Sequence, residues 1–293
     1  MNSEIIKAGK QIYPITSIKN IIRRIKFLIR AKRQEKILEQ FIHAINQEGC
    51  TSIFEYQPHV LGAVEWPYIH KNWTVNERFN AILLHYALIK TQSKFLHNIN
   101  QQPKKILDLH EYSANTYLVL ERPTWFAREG EIVLSLFKET HRIKSVAFTL
   151  SKLDDDLVIY IGAIQGISAS EDSLSMFKTI TKDLEGLRPT SFMIEAIKML
   201  AHKMGVKKIL AISDTNRHHH HAYFKGSLNN MLITKYNDTW VDHQGEAVGN
   251  GFYLIPVAEH RRNTTDISSN KRAMYRRRYQ MLEQIKQSIS ALN

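Results

Sequence analysis

Eight residues in the middle of the chain, Leu157-Val-Ile-Tyr-Ile-Gly-Ala-Ile164, are almost continuously apolar. A run that short and that rich in β-branched side chains predicts a central strand covered on both faces. It extends over 157–165, and three shorter stretches precede it at 116–121, 131–138 and 144–153. Arg122-Pro123, residues 138–141 and Asp154-Asp155-Asp156 separate the four as turns, so they read as consecutive antiparallel strands. Downstream the period changes. Residues 173–181 fit a short helix. Residues 190–204 fit a firm one, with Phe192, Ile194, Ile197, Met199, Leu200 and Ala201 on its buried face and Gly205 where a left-handed residue ends a helix. A second buried strand follows at 207–213. Strand, crossover helix and adjoining strand after a meander specify an α+β fold: one mixed, largely antiparallel central sheet with flanking helices.

The pattern divides the chain into a helical N-terminal region over 1–104, with a helical stretch at 75–98, an α+β core over 105–258 and a helical C-terminal extension over 259–293. Charge follows the same division. The formal net charge is +12, but residues 1–40 hold ten Lys and Arg against three acids, residues 258–293 hold eight against three, and the remainder is balanced. Basic ends on a neutral body point to anionic partners at the ends and a specific activity in the body. The first end reads as a basic amphipathic helix: Ile18, Ile21, Ile22, Ile25, Leu28 and Ile29 interleave with Lys19, Arg23, Arg24, Lys26, Arg30, Lys32 and Arg33. Two arrangements fit it, contact with an anionic membrane surface or docking through its isoleucines with the basic face in solvent. Only Phe27 offers an interfacial ring. At the other end Arg272 and Arg276 stand one turn apart, spaced for two guanidinium forks to hold one phosphate or carboxylate. The tyrosines among these arginines also suit RNA, since rings stack on bases while cations meet phosphates; a solvated basic helix is the alternative.

Other classes fall away. With 12 Gly and 7 Pro in 293 residues, collagen-like and low-complexity chains are excluded. The single Cys50 excludes an internal disulfide and a thiolate-rich zinc site, so a reducing, cytoplasmic setting is expected. No stretch approaches the ~18 uncharged apolar residues of a membrane span, and the first ten residues lack the apolar region of a secretory signal. Walker-type and dinucleotide-binding glycine loops are missing, which excludes those nucleotide enzymes.

Five ordered motifs carry a likeness to a known family: Gly162-Ala-Ile-Gln165-Gly166, Thr181-Lys-Asp-Leu-Glu-Gly186-Leu-Arg188-Pro189, Ala211-Ile-Ser213, Tyr236-Asn-Asp-Thr-Trp240 and Lys271-Arg-Ala-Met-Tyr-Arg-Arg-Arg-Tyr279. Together, over about residues 105–285, they resemble the VirK/YbjX family of bacterial proteins. The resemblance implies a role in virulence and in resistance to antimicrobial peptides, and brings no catalytic residues with it. Where that family often has Asp-Tyr-Asp-x-Phe-Trp, this chain has Tyr236-Asn237-Asp238-Thr239-Trp240. The element order is in turn similar to the N-acetyltransferase-like fold, which grips the pyrophosphate of coenzyme A between a central strand and a helix N-terminus.

The candidate site follows from that order. Gln165 and Gly166 end the central strand, and Gly186 and Arg188 precede the firm helix, whose open amides favour an anion. The glycine-rich loop of coenzyme A enzymes is absent, Pro189 removes one amide, and a packing junction with Arg188 in a structural ion pair is the alternative. His110 and Glu111 are acid–base candidates; with no second His one helical turn on, they do not form a metalloprotease motif. The run His218–His221 suggests adventitious metal binding rather than a metal site, with His218 beside Asp214 as a base. These readings predict an acyl- or aminoacyl-transferase-like enzyme acting on a peptide, protein or envelope component. Its donor would be coenzyme A, an acyl carrier or aminoacyl-transfer RNA, and its place the cytoplasm, peripheral on the inner membrane face. The alternative is a non-catalytic accessory protein binding a membrane surface or RNA.

Overall fold

A computed structural model describes residues 2–92, 94–167, 170–224 and 235–293. Its centre is an eight-stranded sheet: β1 (Lys104–Asp108), β2 (Thr116–Glu121), β3 (Ile132–Lys138), β4 (His141–Leu153), β5 (Asp156–Gly166), β6 (Lys208–Ile212), β7 (Glu246–Ala247) and β8 (Phe252–Ile255), in the spatial order β1-β2-β3-β4-β5-β6-β8-β7. The four strands expected over 116–165 are β2 to β5, and they form an antiparallel meander. Tight turns join them because Glu139 and Asp154 take positive φ. β4 therefore begins at His141, three residues earlier than the sequence suggested. The pair β5 and β6 is parallel, and all other pairs among the described residues are antiparallel.

The helices follow from capping and from which side chains are buried. α1 (Ser3–Ile12) is capped by Asn2, whose Oδ1 accepts from Glu4 N at 2.8 Å, and α2 (Ile18–Arg33) by Ser17, whose Oγ accepts from Asn20 N at 3.2 Å. α3 (Glu35–Gln47), the single turn α4 (Ile53–Tyr56) and α5 (Val75–Gln92) complete the N-terminal region. α5 stops short of the expected 98 and gives way to a 3-10 turn at Lys94–Leu96. α6 (Glu171–Asp183) opens on a reciprocal Ser170/Ser173 capping box. α7 (Pro189–Lys203) is the firm crossover helix, with proline in its first turn and Gly205 at φ +72° beyond its end. α8 (Tyr236–Asp242) and α9 (Ser269–Ser290) follow.

Strand alternation sorts the core. Leu134, Leu136, Val146 and Phe148 point to the face on which α7 packs, and α9 lies on α7 and touches β1. On the opposite face Val133, Ala147 and Ala163 meet Phe126. One continuous apolar cluster runs from Ile5 to Ile289 and draws on all three parts of the chain. The N-terminal region is also tied to the sheet by a buried polar knot. Arg122 donates to Glu131 Oε2 at 2.6 Å and to Gln57 Oε1 at 2.5 Å, and Tyr86 Oη donates to Glu131 Oε2 at 2.8 Å.

α2 turns its expected face outward. It is held to the body by Phe27 and Ala31, both fully buried, while Ile18, Ile22, Ile25 and Ile29 are exposed. Docking through the isoleucines is therefore not what this helix does, and Phe27 is not an interfacial ring.

Candidate functional site

The parallel pair is where the sheet opens. β5 and β6 are paired only as far as Ile161 and Ala211; beyond that β5 continues to Gly166 alongside β4 alone. The gap past the carboxyl ends of parallel strands is a recurrent place for ligands. Here it is wedged by Tyr236 of α8, whose Oη accepts from Ile164 N at 3.0 Å, with the Arg217 guanidinium 3.9 Å from the centre of its ring. Asp214, which the sequence paired with His218, instead caps α8, accepting from Tyr236 N at 2.8 Å and Asn237 N at 3.1 Å.

A bulge in β5 brings an acid to this opening. Ala147 pairs with Ala163 and Phe148 with Ile161, so Gly162 is an extra residue in the strand. A Cβ there would stand 2.0 Å from the carbonyl oxygen of Glu129, and only glycine permits so close an approach. The loop before β3 is thus laid against β5, and Glu129 Oε1 accepts from Gln165 Nε2 at 2.7 Å. His218 Nε2 lies 3.9 Å from the same oxygen.

This cluster is buried and its acid–base chemistry is altered accordingly. Burial pushes the Glu129 carboxyl up to about 8, against the pull of Arg217, Arg128 and the Gln165 hydrogen bond. Burial, with His219 and the same arginines nearby, drives the His218 imidazole well below its ordinary range, and His219 goes down to about 4 for like reasons. At neutral pH the cluster therefore holds a protonated carboxyl beside neutral imidazoles. The two rings lie 3.8 Å apart, and Nδ1 of each is buried without a hydrogen-bond partner among the described residues. Carboxylate and imidazole atoms of Glu129, His218 and His219 fall within 4.8 Å of one another, so two of the four consecutive histidines share one cluster with Glu129.

Phe224 packs against both imidazoles and also lines an adjoining open cavity of about 820 Å³. Its walls are cationic and aromatic: Arg23, Lys26 and Arg30 come from α2, Arg128 from the Glu129 loop, and Trp66 and Trp125 are among the rings. The Arg128 guanidinium lies 4.8 Å from the centre of the Trp66 ring. Glu65 is the acid of this wall; its Oε1 accepts from Tyr13 Oη at 2.6 Å and Tyr223 Oη at 3.2 Å, and the Arg30 guanidinium lies 3.0 Å from its Oε2.

Of the residues singled out from the sequence, Gln165 and His218 meet through Glu129. Gly166 lies exposed at the end of β5. Gly186 and Arg188 sit elsewhere, because α6 intervenes and α7 lies on the other face of the sheet. They line a second cavity of about 480 Å³ together with Lys271, Arg278 and Tyr279 of α9. Arg188 is exposed and, among the described residues, in no salt bridge; Arg278 donates to Glu185 O at 2.7 Å. Arg272 bonds Ile267 O and Arg276 faces solvent, and neither lines that cavity. His110 and Glu111 are exposed on the turn between β1 and β2, where His110 Nδ1 accepts from Asn115 N at 3.3 Å. His219 was read only as one of the run His218–His221, and Glu129 and Arg128 escaped sequence reasoning. Their one signal was Arg128-Glu129-Gly130-Glu131, two acids and a glycine placed against a buried strand.

Fold and site together define an α+β protein with a buried acid–imidazole cluster at the open end of its parallel strand pair. The chain belongs to the family described as protein of unknown function (DUF535), whose model matches residues 16–291. It is 24% identical over 276 residues to the Escherichia coli (strain K12) protein named YbjX, covering 92% of this chain and 83% of that one. The resemblance to the VirK/YbjX family carried by the motifs is thus borne out. A Haemophilus influenzae protein is 27% identical over 279 residues, 94% of this chain and 91% of its own length. A Mannheimia haemolytica protein named "Membrane protein LapB" is 24% identical over 207 residues, 70% of this chain and 89% of its own length. No solved structure gives a significant match. Among the described residues no helix is long and apolar enough to cross a membrane.

Proposed function

We propose that the protein is an acyl- or aminoacyl-transferase on an N-acetyltransferase-like core, acting in the cytoplasm on a peptide, protein or envelope component reached at the inner membrane face. The observation that carries this reading is the juxtaposition of the buried Glu129 carboxyl and His218 imidazole, 3.9 Å apart at the open end of the parallel pair, beside a cavity walled by cations and rings. Neighbouring titratable groups with oppositely displaced proton affinities are the arrangement acid–base catalysis uses. Arg23, Lys26 and Arg128 suit the phosphates of a donor such as coenzyme A, a phosphopantetheinyl carrier or aminoacyl-transfer RNA.

In the proposed step an acceptor amine or hydroxyl attacks the donor carbonyl, a new C–N or C–O bond forms, and His218 takes the proton lost by the nucleophile. The bond from the carbonyl to the donor's sulfur or oxygen then breaks, and Glu129 supplies the proton the leaving group needs. The name of the Mannheimia relative and the virulence link of the VirK/YbjX family support an envelope-related acceptor.

The test is a thermal-shift and mass-spectrometric screen of the purified protein against the three donor classes, followed by transfer of a labelled acyl group to amine acceptors. Stabilisation by one donor class, with transfer abolished in His218→Gln and Glu129→Gln, is expected. Absence of both stabilisation and transfer for all three classes refutes the reading. A second reading, a non-catalytic RNA-binding accessory protein, is favoured by the other cavity, where Arg188, Lys271 and Arg278 stand among Tyr275 and Tyr279. Retention of RNA by the purified protein, lost in Arg188→Ala/Arg278→Ala, would select it.

A further inference from the structure

Among the described residues, seven of the fourteen exposed large hydrophobic side chains belong to the first 29 positions: Ile6, Ile15, Ile18, Ile21, Ile22, Ile25 and Ile29. Five of them are on α2, with exposures from 38% to 76%. At the helical repeat of about 100° per residue, Ile18, Ile22, Ile25 and Ile29 fall within an arc of about 60°, and Lys19, Lys26 and Arg33 border one side of it. The opposite side is where Phe27 and Ala31 fasten the helix to the body. An apolar row that faces water along a firmly held helix is not serving the fold of this chain.

Charge says what the row meets. No acid occurs between Glu4 and Glu35. Of the cations on α2, Arg24 is held by Tyr13 O, Arg30 by Glu65 and Lys32 by Glu35, whereas Lys19, Arg23, Lys26 and Arg33 enter no salt bridge among the described residues. Trp125, 67% exposed, lines the same cavity as Arg23, Lys26 and Arg30 and therefore stands beside this helix. Isoleucines in a row, unengaged lysines and arginines along its border and an exposed indole near by are the parts of an interfacial anchor.

We propose that α2 is a membrane-docking element, with Ile18, Ile22, Ile25 and Ile29 entering the headgroup–acyl boundary of an anionic bilayer, Lys19, Lys26 and Arg33 against the phosphates and Trp125 at the interface. The helix lies in the plane of the membrane and does not span it. The cavity wall formed by Arg23, Lys26 and Arg30 then opens at the bilayer surface. This inference stands whether or not the protein transfers acyl groups, because it rests on α2 and Trp125 and not on the Glu129 cluster.

The experiment is co-flotation of the full-length protein with vesicles of phosphatidylcholine alone and of phosphatidylcholine with phosphatidylglycerol, at low and high salt, with indole fluorescence recorded alongside. The wild type should bind the anionic vesicles, release in high salt and shift its emission to the blue, and Trp125→Phe should lose most of that shift. Ile22→Asn/Ile25→Asn should weaken binding at least about tenfold, and Lys19→Gln/Lys26→Gln/Arg33→Gln should remove the preference for anionic lipid. Both sets of positions are exposed, and unchanged melting temperatures would show that the variants fold. Equal binding to neutral vesicles, or binding indifferent to the isoleucine substitutions, overturns the proposal. So does a dimer in light scattering that Ile22→Asn/Ile25→Asn dissociates, since the row would then pair with a second copy of the chain.

Discussion

Replacing Glu129 by glutamine tests the electrostatics of the cluster without any ligand. Burial raises the carboxyl from its ordinary 4.5 to about 8 in the folded chain. Between those values the folded state binds a proton that the unfolded state releases, so stability falls as pH rises through this window and levels off above about 8. At about 1.36 kcal/mol per pH unit the full interval amounts to about 5 kcal/mol, on the order of 10 °C in melting temperature for a chain of this size. The histidines act with the opposite sign. His218 and His219 are depressed in the folded state, so their contribution is complete above about 6.5 and is lost as pH falls below it. They are present in both proteins and largely cancel in the difference. Glu129→Gln keeps the shape and an acceptor for Gln165 but has no proton to lose. In urea titrations from pH 5 to pH 9, the variant should therefore gain on the wild type as pH rises, by several kcal/mol in all and mostly before pH 8. Parallel profiles across that range would mean that Arg128 and Arg217 keep Glu129 ionised, and would refute the assignment of a neutral acid.

Three further changes follow from the geometry. Gly162→Ala should cost about 2–4 kcal/mol, seen as a lower denaturant midpoint, because its methyl collides with the Glu129 carbonyl and the bulge cannot form; a neutral effect would remove the bulge as the device that places Glu129. Arg122→Met should cost about 3–5 kcal/mol by leaving the Glu131 carboxylate buried without its cation, and Arg122→Met/Glu131→Met should recover much of that loss in the same measurement. Arg188→Ala should change stability by no more than about 1 kcal/mol, since the side chain is exposed and, among the described residues, in no salt bridge; a loss of several kcal/mol in thermal unfolding would reveal a structural ion pair.

The meander was legible because period-two alternation and the Asp154-Asp155-Asp156 turn are local signals, and α7 because its buried face and Gly205 both mark it. β1, β7 and β8 were not. They are short, β7 is exposed, and β8 becomes a strand only by pairing with β6 and β7. The amphipathicity of α2 was visible, but not which side faces the body: Phe27 and Ala31 are a small apolar signal beside five isoleucines, yet they fit the surface that α1 and the turn at Pro58–Val64 present. The site was half legible. Gln165 and His218 could be named from their place at strand ends, whereas their meeting depends on Glu129. That residue reaches them only because one glycine adds a bulge to β5, a tertiary event with no periodic trace in the sequence.

The position of α9 has a consequence for how the chain is made. Met281, Leu282, Ile285 and Ile289 are buried as α9 lies on α7, and Tyr112 Oη, in the turn after β1, donates to Gln284 Oε1 across 172 positions of sequence. A ribosome delivers this helix after the sheet and the crossover helix that it covers. Until it emerges, the growing chain carries an uncovered apolar surface on its crossover helix and an unguarded edge strand, the two features that invite nascent chains to pair with one another. Contacts so distant in sequence also slow closure. Emergence of α9 is thus the moment at which the sheet's first strand and its crossover helix are shut away from other molecules, and chains cut short before α9 are destined for chaperones or aggregates.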